Sequence, residues 1–325
     1  MVKAIRIHKA GGPEAFVWED VAVDKPGPGQ VALTQTAIGL NYIDVYHRSG
    51  LYPLAAFPAV IGMEGAGVVE TVGPGVADLK PGDRVAYASV PLGAYAQARL
   101  MPADRLVKLP DSIEDRQAAA MMLQGMTVEY LLLRTYPVRR GETILVHAAA
   151  GGVGLILCQW AKHLGATVIG TVGSDEKAAL ARGHGCDHAI VYTRENFVQR
   201  VKEITGGQGL PVVYDSIGKD TFEGSLDCLR PRGLMVSFGN ASGPVPPFNL
   251  AVLGQKGSLF LTRPSLVAYT AARADLQASA NALFDVVSKG AVKIEVRQTY
   301  ALKDAAQAHR DLEGRKTTGS TVLLP

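Results

Sequence analysis

Residues 149 to 154 of this 325-residue chain read Ala149-Ala150-Gly151-Gly152-Val153-Gly154. Small side chains at this spacing let a backbone turn approach a pyrophosphate. Thr143 to His147, just before, is a short apolar run suited to a buried parallel strand, and Leu155 to Leu164 continues at helical spacing. Together they form a dinucleotide fingerprint with Ala149 in place of the first glycine. The helix would point its unpaired N–H groups and positive dipole end at the phosphates. A bare glycine turn between strand and helix is the plain alternative, so the flanking residues must decide.

An Asp or Glu normally stands about 20 residues beyond the first glycine, where it holds the ribose 2′-hydroxyl of NAD. From Gly151 through Ser174 this chain has neither. The second strand, Ala166 to Thr171, opens instead onto Val172-Gly173-Ser174-Asp175-Glu176-Lys177. Ser174 and Lys177 suit a 2′-phosphate that a carboxylate would repel. Lys177 also falls in the first turn of a helix that Ser174 should cap, where a cation opposes the dipole unless an anion binds nearby. The expected cofactor is NADP(H); a solvated surface lysine is the bland alternative.

Apart from this motif, strand and helix patterns alternate from about Ala118 onward, as parallel βαβ units require. Strands are expected at Ala189 to Tyr192, Pro211 to Asp215 and Gly233 to Phe238, with a helix at Asn196 to Ile204. The first 120 residues carry short strand-like runs, among them Ala4 to His8, Gln30 to Ile38 and Gly65 to Val72, and one short helix starting at Asn41. This suggests a small barrel or partly open sheet. A long helix, Ala268 to Ser288, a strand, Lys293 to Gln298, a short helix, Leu302 to Leu312, and a strand, Ser320 to Leu324, finish the chain. The fold class is α/β: a doubly wound domain inserted into a β-rich domain.

Hydrophobic residues make up 47% and charged residues 19%, with a net charge of +3, which describes a globular chain with no polyanionic partner. No basic stripe of the nucleic-acid-binding kind is present. No apolar run approaches a membrane span and the N-terminus lacks a signal-peptide core, so a cytoplasmic protein is expected. Cys158, Cys186 and Cys228 are far apart and form no CxxC pair.

Several longer segments now combine: His8 to Glu14, Asn41 to Pro53, His147 to Gly154, Asp215-Ser216-Ile217-Gly218 and Thr262-Arg263-Pro264-Ser265. Over its whole length the chain resembles the zinc-free, ζ-crystallin-like quinone oxidoreductases of the medium-chain dehydrogenase/reductase superfamily, and the bacterial NADPH:quinone reductases among them. The resemblance implies reduction of quinones by NADPH, a homodimer, and a cofactor in the cleft between two domains. It implies a GroES-like catalytic domain over residues 1–123, an NADP-binding Rossmann domain over 124–264, and completion of the catalytic domain by 265–325. It also carries over Tyr42, Ile43, Asp44, Tyr130, Arg263, Pro264 and Ser265 as cofactor neighbours.

Zinc alcohol dehydrogenases of the superfamily share this outline but place a cysteine where this chain has Asn41, and a histidine before the glutamate of Gly62-Met63-Glu64-Gly65. Asn and Met are poor zinc ligands, and Ile43 replaces the hydroxyl of the proton relay. No metal is expected. Without a Lewis acid, hydride must go to an electron-poor acceptor such as a quinone.

Asn41, Tyr46 and Tyr52 are the candidate catalytic residues. The Asn41 amide either donates to a quinone oxygen that gains charge or caps the short helix. Tyr46 and Tyr52 either donate to the reduced quinone or pack in the wall. Asp44 orients neighbouring groups or plays a plain structural part rather than acting as the acid. Glu64 reads as a buried polar residue at the domain junction, with no assigned role.

Around the cofactor, the Gly151, Gly152, Val153 and Gly154 turn, Gly173, Ser174, Lys177 and Tyr192 form the adenosine end. Ser216, Ile217, Phe238, Gly239 and Asn240, at the ends of strands four and five, are expected to hold ribose and carboxamide through their backbone groups; core packing is the plain alternative for Tyr192, and a glycine turn for Gly239. His184 and His188 flank a turn rather than a metal, and His147 is structural. The competing functions are reduction of alkenals or enones, and a non-catalytic RNA-binding or structural role of the ζ-crystallin kind.

Overall fold

The computed structural model describes all 325 residues, and the chain divides into two compact units. One unit comprises Met1–Met126, Thr270–Ser288 and Ile294–Pro325; the other comprises Thr127–Tyr269 and Lys289–Lys293.

The second unit is built on six parallel strands in the spatial order His188–Val191, Thr167–Val172, Thr143–Val146, Leu210–Asp215, Leu229–Ser237, Phe260–Thr262. The order reverses beside the first strand of the motif, which is where doubly wound sheets bind nucleotides. Every residue of Leu210–Asp215 is buried, because helices cover both faces of a parallel sheet. The fingerprint helix, Gly152–His163, packs tightly on its strand: a Cβ at Gly154 would lie 2.3 Å from the Ala148 carbonyl oxygen. Ala148 itself takes a positive φ of 54° to make the turn.

The first unit holds a seven-stranded sheet in which Gln30–Leu40 pairs with Ser320–Leu324, Glu64–Val72 and Ala98–Pro102. A smaller sheet of Phe16–Val21, Val2–Ile7 and Ala59–Val60 packs on the same core. The C-terminal strand thus completes a sheet begun by the first hundred residues. Ile5, Leu33, Ile38, Tyr95, Leu302 and Leu323 share its core.

Three expected elements differ. The helix expected over Ala268 to Ser288 is broken into Leu266–Tyr269 and Arg273–Ser288. The Arg105 guanidinium takes hydrogen bonds to the Thr270 and Ala271 carbonyls at 3.1 Å each, and Arg273 donates to the carbonyls of Asp104 and Leu106. The strand expected from Lys293 begins at Val296, because the Gln159 amide holds both the N–H and the carbonyl of Lys293. The helix-rich stretch from Ala118 falls into Asp115–Ala119, Met122–Glu129 and a wide π-turn, Tyr130–Thr135. No helix is long and apolar enough to cross a membrane.

Candidate active site

At the nucleotide turn, Gly151 precedes the helix with no side chain capping it, so the first N–H groups of the helix stay available to an anion. The expected cap at the next helix is present: Ser174 Oγ accepts from Lys177 N–H at 3.3 Å. Gly173 gives room beside Tyr192, whose hydroxyl would lie 3.0 Å from a Cβ there. Tyr192 remains 42% exposed, so its ring is offered to solvent rather than spent in the core. Gly173, Ser174, Lys177 and Tyr192 are thus brought together at the carboxyl ends of two adjacent strands. Sequence reasoning missed Arg194 here, which makes a two-pronged ion pair with Asp175 at 2.6 Å. A cation two residues after Tyr192 was its only signal.

The ends of the next strands are tied to one another. Asp215, fully buried, accepts from the N–H groups of Ile217 and Gly218 and from the hydroxyls of Thr221 and Ser225. A Cβ at Gly239 would lie 2.5 Å from the Ser216 carbonyl oxygen. Phe238 N–H donates to the Asp215 carbonyl at 2.8 Å. Arg263 donates to the carbonyls of Ser237 and Gly239, and the Asn240 amide fits with its oxygen toward Arg263 and its nitrogen toward Gly239. Pro264 leads into Ser265, whose hydroxyl accepts from Ala268 N–H. Tyr130 stacks on Tyr269 with ring centres 4.5 Å apart.

His147 is structural, as expected. Ser225 gives its hydrogen to Asp215, so His147 Nε2–H donates to Ser225 and Nδ1 accepts from Thr171. Burial pushes its pKa down.

In the other unit, Asn41 ends an extended strand and precedes the Tyr42–Ser49 helix. Its backbone N–H donates to Asp44 Oδ2 at 2.9 Å, the reciprocal half of a capping box. Its side-chain amide is committed elsewhere: Nδ2 donates to Glu64 Oε2 at 2.6 Å and Oδ1 accepts from Gln124 at 3.2 Å. Tyr46 packs edge-on against Tyr52 with centres 5.1 Å apart, and Tyr42 lies 5.6 Å from Tyr46. Ile43 is half-buried beside them in the first turn.

Asp44 is fully buried and also accepts from the Tyr95 hydroxyl at 3.0 Å, while its Oδ1 has no protein partner. Tyr95 in turn lies 3.0 Å from His309 Nε2, and Arg48 donates to His309 Nδ1 at 2.9 Å. A guanidinium only donates, so Nδ1 is the acceptor and Nε2 carries the hydrogen. Arg48 closes the chain on Glu313 with two bonds of 2.8 and 2.9 Å. This network anchors the helix bearing Tyr42 and Tyr46, and only Asp44 of its members was visible beforehand.

Burial pushes the Asp44 carboxyl up to about 7 and the Glu64 carboxyl up to about 8. Burial, then Arg48, pushes His309 down to about 3.

Residues 27–111 match the alcohol dehydrogenase GroES-like domain family, and residues 152–283 match the zinc-binding dehydrogenase family. A quinone oxidoreductase of Pseudomonas aeruginosa is 56% identical over the full length of both chains. The chain belongs to the quinone oxidoreductase family. The crystal structure of the Escherichia coli quinone oxidoreductase complexed with NADPH superposes on it with a TM-score of 0.98, at 50% identity, covering 99% of this chain and all of that one. A 2-haloacrylate reductase from a Burkholderia species is 52% identical over all of this chain and 99% of its own length.

The second family's name raises the question of zinc, and the donor set does not fit it. A catalytic zinc takes about three ligands from Cys, His and carboxylates. Asn41 offers an amide already bound on both atoms, Met63 a buried thioether, and Glu64 a carboxyl held by Asn41 and the Leu123 N–H. No three His, Cys, Asp or Glu side chains converge anywhere in the structure.

Asp44 and Glu64 carry folded-state pKa values above those of an unfolded chain, about 4, so the folded state keeps its protons longer. The stability they allow is full below about pH 4, is lost progressively as pH rises toward the folded values of about 7 and 8, and changes no further above them. The melting temperature should therefore fall between about pH 5 and 8, level off above that, and fall less in Asp44→Asn. Differential scanning calorimetry of both proteins checks this; parallel curves would contradict it.

Proposed function

We propose that this chain is a metal-independent, cytoplasmic, homodimeric NADPH:quinone oxidoreductase. The observation that carries the reading is the nucleotide pocket: a helix N-terminus open to phosphate, followed by a second strand that ends at Gly173, Ser174 and Lys177 with no carboxylate before Asp175. The NADPH-bound relative and the names of the relatives support it.

When bound, NADPH supplies the hydride. The protein's part is to hold its two ends and to receive the product charge. The Gly151, Gly152, Val153 and Gly154 turn holds the pyrophosphate, and Ser174, Lys177 and Tyr192 hold the 2′-phosphate and adenosine. Ser216, Ile217, Phe238, Gly239, Asn240, Arg263, Pro264 and Ser265 line the nicotinamide half, with Tyr42, Ile43, Asp44 and Tyr130 as further neighbours. Asn41 gives one amide hydrogen to its buried neighbours Glu64 and Gln124 and keeps the other, which suits a quinone oxygen gaining charge. Tyr46 and Tyr52 supply hydroxyls and ring faces for the flat acceptor.

A second reading, reduction of an electron-poor conjugated alkene, is favoured by the 2-haloacrylate reductase relative. It needs no change of machinery, since hydride to an activated carbon also leaves an oxyanion. For the dimer, Phe260 is 61% exposed on the terminal strand of the parallel sheet, an edge with unpaired backbone groups. A second copy laid edge to edge would cover both.

Steady-state rates with a quinone and haloacrylate panel, with NADPH against NADH and with or without chelator, test the main reading. NADPH should be strongly preferred, and chelator should change nothing. Lys177→Ala should raise the NADPH KM roughly tenfold to a hundredfold, the worth of one charge-assisted hydrogen bond, and leave NADH unaffected. Equal constants for both cofactors in the parent would defeat it.

Tyr46→Phe with Tyr52→Phe should lower quinone turnover at unchanged NADPH affinity; unchanged turnover would mean that neither hydroxyl takes part. Phe260→Asp should sediment as a monomer, and a parent that is itself monomeric would refute the edge pairing.

A further inference from the structure

Glu64 has no cation among its hydrogen-bond partners. The donors that reach its oxygens are the Asn41 amide and the backbone N–H groups of Leu123 and Met122. Gly39 makes the space, since a Cβ there would lie 2.2 Å from Glu64 Oε2 and 2.3 Å from the Ala119 carbonyl oxygen. The charged and titratable groups around it are Asp44 on the neighbouring helix, Tyr87 on the adjacent strand with Arg99 beyond it, and Tyr95 with Arg48 farther out.

The bond at Asn41 continues as a buried chain. Gln124 donates to Asn41 Oδ1, and Gln124 Oε1 accepts from Ser320 Oγ at 2.7 Å. The Ser320 hydroxyl also lies 2.8 Å from the Ala120 carbonyl oxygen, so its single hydrogen has two acceptors. Hence the chain closes in either direction. With Glu64 ionised, Ser320 donates to Gln124, Gln124 to Asn41, and Asn41 to the carboxylate. With Glu64 protonated, both amides turn over: the carboxyl donates to Asn41 Oδ1, Asn41 Nδ2 to Gln124 Oε1, and Gln124 Nε2 to Ser320, whose hydrogen goes to Ala120. No buried polar atom in the chain is orphaned in either arrangement, which is what makes both accessible.

We infer that Glu64 and Gln124 are positioning residues for Asn41: the proton on Glu64 sets which way the Asn41 amide faces, and the protonated arrangement is the one that serves quinone reduction. This rests on the proposed contact between Asn41 and the quinone oxygen. The neutral carboxyl is favoured because an ionised one beside Asn41 would repel the charge that hydride transfer places on the acceptor. Its pKa, raised to about 8 by burial, keeps the productive form dominant near neutrality.

Two measurements on the full-length protein test this. In the NADP⁺-bound, ¹⁵N-labelled chain, the Asn41 and Gln124 side-chain amide resonances should shift together with a midpoint near pH 8 and stay fixed in Glu64→Gln. Gln at this position is neutral and offers both a donor and an acceptor. Separately, quinone kcat/KM in the parent should fall about tenfold between pH 7 and 9, as a group titrating at about 8 requires. The Glu64→Gln profile should be flat across that range, with activity retained at pH 9. Amide resonances that do not move with pH, or that move equally in Glu64→Gln, overturn the switch. Resonances that move while the two kcat/KM profiles coincide refute the link to catalysis and, with it, the Asn41–quinone contact. Unchanged NADPH selectivity in that case would leave the rest of the proposed function standing.

Discussion

A carboxyl group sealed from water without a cation must be met by hydrogen-bond donors or keep its proton, and the unit that contains Asn41 is arranged around two such groups. Asp44 and Glu64 are both fully buried. Asp44 fixes the Tyr42–Ser49 helix through Asn41 N–H and Tyr95, and Tyr95 leads to His309, Arg48 and Glu313. Glu64 fixes the other end of Asn41 through its amide. Sequence reasoning divided Asn41 between capping and catalysis; its backbone N–H takes part in the cap, and its side-chain amide bonds Glu64 and Gln124. Replacing these polar links by apolar groups could preserve a core, but it would free the helix that carries Tyr42 and Tyr46.

The nucleotide side depends on a different constraint, the distance at which two backbones can pass. Gly154, Gly170, Gly173 and Gly239 each stand where a Cβ would meet a neighbour at 3.0 Å or closer. At Gly154 and Gly239 that neighbour is backbone, which cannot swing aside as a flexible side chain does. Ala149, which stands where the usual motif has its first glycine, is buried against Gly170 on the second strand, and only a glycine there leaves room for its methyl group. Asp215, His147 and Ser225 then lock the strand ends from below the site, which is why a histidine at the end of the motif strand belongs to the scaffold.

What was legible in the sequence was local. The strand, turn and helix of the fingerprint, the Ser174 cap and the missing acid all lie within about thirty residues of one another, and their physics needs no distant partner. The parallel order and the return of Ser320–Leu324 to the first sheet followed from alternation and resemblance. What was hidden was non-local. Nothing near Ala268 signals that Arg105 will claim the Thr270 and Ala271 carbonyls and break a helix of good formers. Glu64 could not be assigned because its partners Asn41 and Leu123 lie 23 and 59 positions away in the chain. Gln124 and His309 were missed for the same reason, being ordinary polar residues until folding supplies Asn41 and Tyr95.

The acceptor class follows from what the site offers to a developing oxyanion. A zinc ion would place two positive charges beside it, and an unactivated ketone needs help of that size. In the proposed site, Asn41 and two tyrosines would offer neutral hydrogen bonds, each worth on the order of 1 kcal/mol net, rising where water is excluded. That suffices only if the acceptor disperses the charge itself. A quinone does so by becoming aromatic, and a haloacrylate does so through its carboxylate-conjugated double bond and halogen. The two relatives named for these substrates are 56% and 52% identical to the chain, so the shared scaffold tolerates both. In the proposed site, Asn41 and Glu64 would answer a need common to both reactions, the charge left after hydride arrives. The choice between a flat ring and a short acid would then fall to groups that touch the acceptor elsewhere. Tyr46 and Tyr52, crossed edge to face 5.1 Å apart, form an aromatic pair that would suit a quinone ring better than a small anionic acrylate.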